Sequence, residues 1–306
     1  MDIAVTSRSF SKHPVLREEL LREFPNVKFN DRGESLKGDG LVNFLKGHQA
    51  AITALEVIDR RVLEGLPDLK IISKYGVGLD MIDVDALRQR GIRLGWTSGV
   101  NKRAVAELAL SMMISVLRRV PEGSQLVRSG NFKQIMGRQL TGKTVGIIGC
   151  GNVGKELVRL LRPFDTKILV HDIRNYPEFY REHGIESVTL HDVIRTSDVV
   201  SIHVPLDQTT SMMLDAETIA MMKPGAVLIN LARGGIVDEK AVKEALISGR
   251  LFGAGFDVFM PEPPIDLELM NLNNFLPTPH IGGSSEEAIL AMGRAAIRGL
   301  RDNEVP

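Results

Sequence analysis

The segment Gly149-Cys150-Gly151-Asn152-Val153-Gly154 reads G-x-G-x-x-G, and its setting constrains the chain more than any other stretch. Glycine is common here, 29 of 306 residues, so the spacing alone carries little weight. The context adds the weight. The apolar run Val145-Gly146-Ile147-Ile148 ahead of it reads as a strand, and residues 155–161 behind it read as a helix. A glycine turn joining strand to helix is the setting of a dinucleotide site. Gly149 permits the tight turn, Gly151 lets backbone approach a pyrophosphate, and Gly154 lets helix and strand pack closely. Asn152 and Val153 open the helix, whose free N–H groups and positive dipole end favour phosphate. The next strand ends at Val170-His171-Asp172, with Asp172 18 residues past Gly154. That is near the ~20 residues expected of an acid that bonds ribose hydroxyls. A carboxylate repels a 2′-phosphate, so the cofactor read here is NAD rather than NADP. Arg174, two residues on, leaves open an arrangement that binds a phosphate instead. The plainer alternative is a tight turn with a helix-capping Asp.

The rest of the chain repeats the β/α alternation. Residues 3–5, 27–29, 50–53, 70–73 and 92–94 read as short strands, with a helix over residues 14–24 among them. Trp96-Thr97-Ser98-Gly99-Val100-Asn101 is a polar link. The apolar run over residues 104–120 then predicts one long buried helix, and the first domain crossing falls here. A second series follows, with strands at 143–148, 167–170, 198–202, 226–230 and 253–257 and a helix over 238–248. The last helix, about residues 285–301, is too small for a domain and is expected to return to the first one. Strands alternating with helices imply α/β architecture with parallel sheets.

Composition excludes several classes. Lys plus Arg and Asp plus Glu both number 38, so no basic field points to nucleic acid. No run of about 18 apolar residues predicts a membrane span. Cys150 is the only cysteine, so no intrachain disulfide forms, and no secretory signal is evident at the start; cytoplasm is the expected location. Neither an HExxH motif nor paired His/Cys spacing is present, so no metal site is expected.

Three ionisable residues fall just past strand ends, where open α/β sheets form their ligand crevice. Arg233 follows the strand Val227-Leu228-Ile229-Asn230. Glu262 follows the strand ending at Asp257. His280 follows the apolar stretch Phe275-Leu276. Reduction of a 2-keto acid needs this set. An imidazole supplies the proton to the keto oxygen, a carboxylate orients it, and a guanidinium grips the substrate carboxylate with two hydrogen bonds. Each taken singly is more often an ordinary loop or surface residue. Cys150 is not expected to be a nucleophile inside the glycine turn, although the helix N-terminus would tend to activate it. In the first half, Tyr75, Gly76, Val77 and Gly78 follow the strand 70–73. Glycines free backbone N–H groups to form an anion nest, with Val77 and Gly78 expected to bond a substrate carboxylate. Lys74, Arg8 and Arg103 are weaker candidates for a second substrate anion.

In combination these residues resemble the D-isomer-specific 2-hydroxyacid dehydrogenases. The matching elements are Gly76-Val77-Gly78-Leu79-Asp80, Asn101 with Ala106-Glu107, residues 142–149, and His203-Val204-Pro205-Leu206. Further along come residues 230–235, Asp257-Val258-Phe259 with Glu262-Pro263, and Thr278-Pro279-His280. The resemblance, close to the catalytic part of D-3-phosphoglycerate dehydrogenases, covers about residues 75–280 in matching order. It implies a Rossmann-type doubly wound NAD-binding domain over residues 101–280. It also implies a discontinuous flavodoxin-like substrate domain, residues 1–100 and 281–306. Arg233 then binds substrate, Glu262 tunes His280, and His280 is the acid/base. His203, Val204, Pro205, Ala232 and Asp257 then line the cofactor, Asp257 near the nicotinamide carboxamide. A homodimer formed through about residues 121–140 is implied too, with Phe132 where relatives often carry Trp.

There are two departures, the first bearing on local loop geometry and the second disfavouring phosphite as substrate. Met81 replaces the Asn that usually follows the Gly-x-Asp pattern, and Val77 stands where phosphite-oxidising relatives carry Lys. With the chain ending at Pro306, the regulatory domains of longer phosphoglycerate dehydrogenases are not expected. The expected activity is hydride transfer between NAD(H) and C2 of a small D-2-hydroxy or 2-keto acid. 3-Phosphoglycerate ranks first, then glyoxylate or hydroxypyruvate. The competing class is a non-catalytic NAD-sensing interaction protein of the same fold.

Overall fold

Every strand pairing in the molecule's two sheets is parallel. Parallel neighbours cannot be joined by hairpins, so each connection must cross a sheet face, mostly through a helix. The computed structural model describes all residues, 1–306. It divides into two units, Met1–Asn101 with Ser284–Pro306, and Lys102–Gly283.

The first unit holds β1 (Ile3–Val5), β2 (Val27–Phe29), β3 (Ala50–Thr53), β4 (Ile71–Lys74) and β5 (Arg93–Gly95). Their order, β2-β1-β3-β4-β5, is the flavodoxin-like one. Ile3, Ala4 and Val5 are all fully buried, because helices cover both faces of a parallel sheet. Leu41, Leu45, Leu63 and Leu87 pack on one face. Phe10, Leu16, Leu20 and Ile297 pack on the other. The helix Glu286–Gly299 belongs to this unit, where the Ser73 hydroxyl donates to the Ala296 carbonyl at 2.6 Å. A Cβ added at Gly95 would lie 2.1 Å from the Gly299 oxygen, so the helix end and β5 touch backbone to backbone.

The second unit holds β6 (Thr144–Ile148), β7 (Lys167–His171), β8 (Glu186–Ser187), β9 (Val199–Ile202), β10 (Ala226–Asn230), β11 (Leu251–Phe256) and β12 (Phe275–Pro277). The order β12-β11-β10-β9-β6-β7-β8 is the Rossmann arrangement with an added edge strand. Chain order reverses at β6 and β9, the switch point where such sheets bind ligands.

Two readings from sequence shift. The apolar run 104–120 is not one helix. The helix Lys102–Leu117 ends, Arg119 takes a left-handed φ of 53°, and Val120–Arg128 starts a second helix with Pro121 in its first turn. The first is the buried helix read from sequence; the second shares only Val120 with the run and buries no residue. The short strands β8 and β12 carry too few residues for a periodic signal; their neighbours β7 and β11 supply the pairing.

Candidate active site

In the second unit, Asn230, Phe256 and Pro277 share one rung at the carboxyl ends of β10, β11 and β12. Neighbouring strands lie ~4.8 Å apart, so three strand ends span about 10 Å. Arg233 leaves three residues past that rung, Glu262 six and His280 three. Loops carrying three side chains that span 47 positions of sequence therefore leave from adjacent strand ends.

Buried polar side chains fix each turn. Asn230, 1% exposed, accepts from the Ala232 N–H at 3.0 Å and donates to the Arg233 carbonyl at 3.0 Å. That Asx geometry sets the Arg233 turn. The guanidinium itself donates to the Ala232 carbonyl at 2.7 Å. Gly234 makes the turn's contact with the next loop possible, since a Cβ there would lie 2.0 Å from the Phe259 oxygen. Asp257, also 1% exposed, accepts three hydrogen bonds, from the Thr278 hydroxyl (2.5 Å), the Ile281 N–H (2.8 Å) and the Gly282 N–H (2.7 Å). These donors bracket His280, whose φ of 54° is an uncommon left-handed value for a non-glycine residue. Holding it there costs about 1–3 kcal/mol, which the Asp257 clamp offsets. The His280 Nδ1 lies 2.9 Å from Glu262 Oε2, and Glu262 Oε1 accepts from the Phe259 N–H at 3.1 Å. Both side chains are 40% exposed, so the pair opens to solvent.

The glycine turn packs tightly. Gly149 has φ 97°, and a Cβ there would lie 2.5 Å from the His203 oxygen and 2.9 Å from Val204 Cγ1. His203 and Val204 thus back the turn, Ala232 is buried nearby in sequence to Arg233, and Pro205 accepts from the Thr210 hydroxyl at 2.6 Å. The His203 Nε2 lies 2.9 Å from the Ser201 hydroxyl, and burial pushes its imidazole down to about 4, so the ring is neutral at physiological pH. Burial pushes the Cys150 thiol up to about 11, so the helix end does not activate it.

A dinucleotide fits these residues. A Cβ at Gly151 would meet nothing within 4 Å, so a ligand can approach the backbone there. No side chain caps the helix Asn152–Leu161 at Gly151, and a helix N-terminus favours phosphate oxygens. Asp172 Oδ2 accepts from the Cys150 N–H at 2.6 Å and Oδ1 from the Arg174 N–H at 2.7 Å. Each carboxylate oxygen keeps an acceptor position for a ribose hydroxyl.

The first unit carries the other glycine loop. Tyr75 is buried edge-on to Phe10, ring centroids 5.5 Å apart, and burial pushes its phenol up. Its ring is core, and only its backbone faces the loop question. Gly76 has φ 131°, and the Trp96 Nε1 donates to the Val77 carbonyl at 2.9 Å. Lys74, a weaker candidate from sequence for a second substrate anion, is 4% exposed and donates to the Ala54 carbonyl. Arg103 is exposed and pairs with Glu107 (2.6 Å) and Glu156 (3.0 Å). No cluster of three or more His, Cys, Asp or Glu could hold a metal ion, and no helix is long and apolar enough to cross a membrane. Sequence reasoning missed the turn-holding roles of Asn230 and Asp257. An Asn two residues before a turn is a readable signal; the Asp257 contacts lie more than 20 residues away and leave none.

A Rossmann sheet with this turn and acid defines an NAD-dependent oxidoreductase. Residues 110–282 match the family model described as D-isomer specific 2-hydroxyacid dehydrogenase, NAD binding domain. Over 300 residues the chain is 36% identical to a glyoxylate reductase of Pyrococcus furiosus, covering 94% of this chain and 89% of that protein. Over 237 residues it is 39% identical to a hydroxypyruvate reductase of Thermotoga maritima, covering 76% of each. The crystal structure of D-lactate dehydrogenase from Aquifex aeolicus with NAD and lactic acid matches with a TM-score of 0.86. That match is at 25% identity and covers 98% of this chain and 94% of that one. The chain belongs to the D-isomer-specific 2-hydroxyacid dehydrogenase family. Its cofactor is NAD, and its reaction moves a hydride between NAD(H) and C2 of a small D-2-hydroxy or 2-keto acid.

Proposed function

We propose that Arg233, Glu262 and His280 carry the reaction and that the substrate is a 2-keto acid with a single carboxylate, glyoxylate or hydroxypyruvate. The observation that carries the reading is the 2.9 Å contact between His280 and Glu262 at the ends of neighbouring strands. With Nδ1–H donated to Glu262, the other ring nitrogen of the imidazolium is left to give its proton to the keto oxygen. The Glu262 charge stabilises that cation before transfer. Arg233 pairs with the substrate carboxylate. In the first unit, Tyr75, Gly76, Val77 and Gly78 are the proposed substrate-binding loop, with backbone N–H groups suited to an anion. NADH, when bound, supplies the hydride to C2. Gly149, Gly151, Asn152, Val153, Gly154 and Asp172 hold its pyrophosphate and ribose, with His203, Val204, Pro205, Ala232 and Asp257 lining the remainder. On this reading residues 101–280 are the NAD-binding domain, and residues 1–100 with 281–306 the substrate-binding domain.

Placing 3-phosphoglycerate first rests on the family resemblance and on a second anion site at Lys74, Arg8 or Arg103. The Lys74 ammonium is buried against Ala54, and Arg103 is engaged by two carboxylates. Arg8 alone is a thin basis for binding a phosphate. The names of the two relatives above support the same choice. The test is initial rates of NADH oxidation on glyoxylate, hydroxypyruvate and 3-phosphohydroxypyruvate. The first two should give higher kcat/KM. A tenfold preference for the phosphorylated acid overturns the substrate choice, and full turnover in His280→Ala overturns the acid assignment.

A homodimer belongs to the same proposal. The helix Val120–Arg128 buries nothing, and Val120, Val127, Phe132 and Met136 are all more than half exposed, the last two 88% and 87%. Apolar side chains so gathered favour a second copy. Phe132→Glu should halve the mass measured by light scattering, and an unchanged mass would remove this surface from the interface. A cytoplasmic location completes the proposal, since a cofactor that dissociates each turnover must be recycled by other soluble enzymes.

A further inference from the structure

The loop that carries Glu262, residues 257–266, is held at both ends by one helix. That helix, Glu239–Ile247, starts from its cap at Asp238. The first anchor is Glu239, whose Oε1 accepts from the Met260 N–H at 2.9 Å. The second is Lys243, whose ammonium lies 2.8 Å from Asp266 and 2.9 Å from Glu268. Positions 239 and 243 are four apart, so they stand above one another on a single helix face. Between the two anchors stand Pro261, Glu262 and Pro263. On the loop's other side the Arg233 turn presses against the Phe259–Met260 peptide through Gly234.

We infer that Glu239 and Lys243 are positioning residues for the reaction, acting through Glu262 on His280. Three features support this beyond the contacts themselves. Met260 N–H binds Glu239, and Phe259 N–H beside it binds Glu262 directly. A displacement at either peptide is therefore passed to the carboxylate that holds the imidazole. Next, Glu239 sits among Asp266, Asp238 and Glu262, and burial pushes its carboxyl up. Last, the anchors differ in kind: one is a backbone hydrogen bond and the other an ion pair, so they can be removed separately.

This inference rests on the proposed roles of Glu262 and His280. A misplacement of about 1 Å in a reacting group can cost ~100-fold in rate. The experiment compares Glu239→Ala, Glu239→Gln, Lys243→Met and His280→Ala in the full chain. It measures kcat, KM for the keto acid, NADH affinity by fluorescence, and the isotope effect on kcat with deuterated NADH. Glu239→Ala should lower kcat by about 10–100-fold with KM and NADH affinity within about threefold, and should raise the isotope effect. Glu239→Gln should recover most of the activity, because its amide oxygen accepts the same Met260 N–H. Lys243→Met should lower kcat less, with the isotope effect again raised. If Glu239→Ala does not fold, the Lys243→Met result decides. Unchanged kcat in these variants while His280→Ala is inactive overturns the inference alone. An active His280→Ala overturns the reading beneath it.

Discussion

The two glycine loops of this protein look alike in sequence and are glycine for different reasons. In the second unit, Gly149 and Gly154 are glycine because other backbone occupies the place of a side chain. A Cβ at Gly154 would lie 2.1 Å from the Gly149 oxygen, and one at Gly149 would lie 2.5 Å from the His203 oxygen. In the first unit, a Cβ at Gly76 would lie 3.5 Å from the Lys74 Cε, an ordinary contact, and the φ of 131° is what excludes other residues. Packing alone fixes Gly154, packing and a φ of 97° together fix Gly149, and backbone conformation alone fixes Gly76. A steric requirement is absolute, because a carbonyl cannot share its volume. A conformational one is a cost of about 1–3 kcal/mol.

The comparison can be broken most directly at Gly154. Gly154→Ala should unfold the second unit or destabilise it by about 3 kcal/mol or more, as forced overpacking does. Chemical denaturation measures this, and a loss below 1 kcal/mol would mean the turn is not packed as described. The acid-side stability of the same packed region sharpens the contrast. Burial depresses the His203 imidazole to about 4, below the ordinary 6.5, so the folded state prefers it neutral. Its contribution is complete above pH 6.5, fades as pH falls towards 4, and is absent below that, amounting to about 3 kcal/mol. His203→Asn should therefore flatten the loss of stability between pH 6.5 and 4, read from urea midpoints; an unaltered slope would show that His203 titrates normally.

Asp172→Ala comes next. Losing charge-assisted acceptors worth about 1.5–3 kcal/mol should weaken NADH binding by about 10–100-fold and narrow the preference over NADPH. Equal NADH affinity in a titration would remove Asp172 from the ribose site. The smallest effect is expected at Gly76. Gly76→Ala should fold, lose about 1–2 kcal/mol through φ, and raise KM for the keto acid several-fold. A collapse as severe as that of Gly154→Ala would erase the distinction between the loops.

The parts legible in sequence were those set by neighbours along the chain. β6, the glycine turn and the helix after it occupy some twenty consecutive residues, and their periodicity and glycine spacing are local properties. The strand Ala226–Asn230 was readable for the same reason, being an unbroken apolar run buried on both faces. Arg233, Glu262 and His280 could be nominated because each follows such a run. Lys74 could not be placed, since its ammonium bonds the Ala54 carbonyl, 20 residues earlier and just past the end of the adjacent strand. Likewise β12 exists as a strand because β11 lends it partners.

By itself, then, the chain's order of residues determined two parallel α/β units, the dinucleotide turn and which side chains are proposed to react. These follow from hydrophobic periodicity and from glycine's lack of a side chain, which act over a few residues. Tertiary structure alone decided that the His280 ring meets Glu262, that Asp257 pins the turn between them, and that one helix holds the Glu262 loop at both ends. Those contacts join positions about 20 residues apart through hydrogen bonds under 3.2 Å, and no pattern along the chain encodes a distance that short.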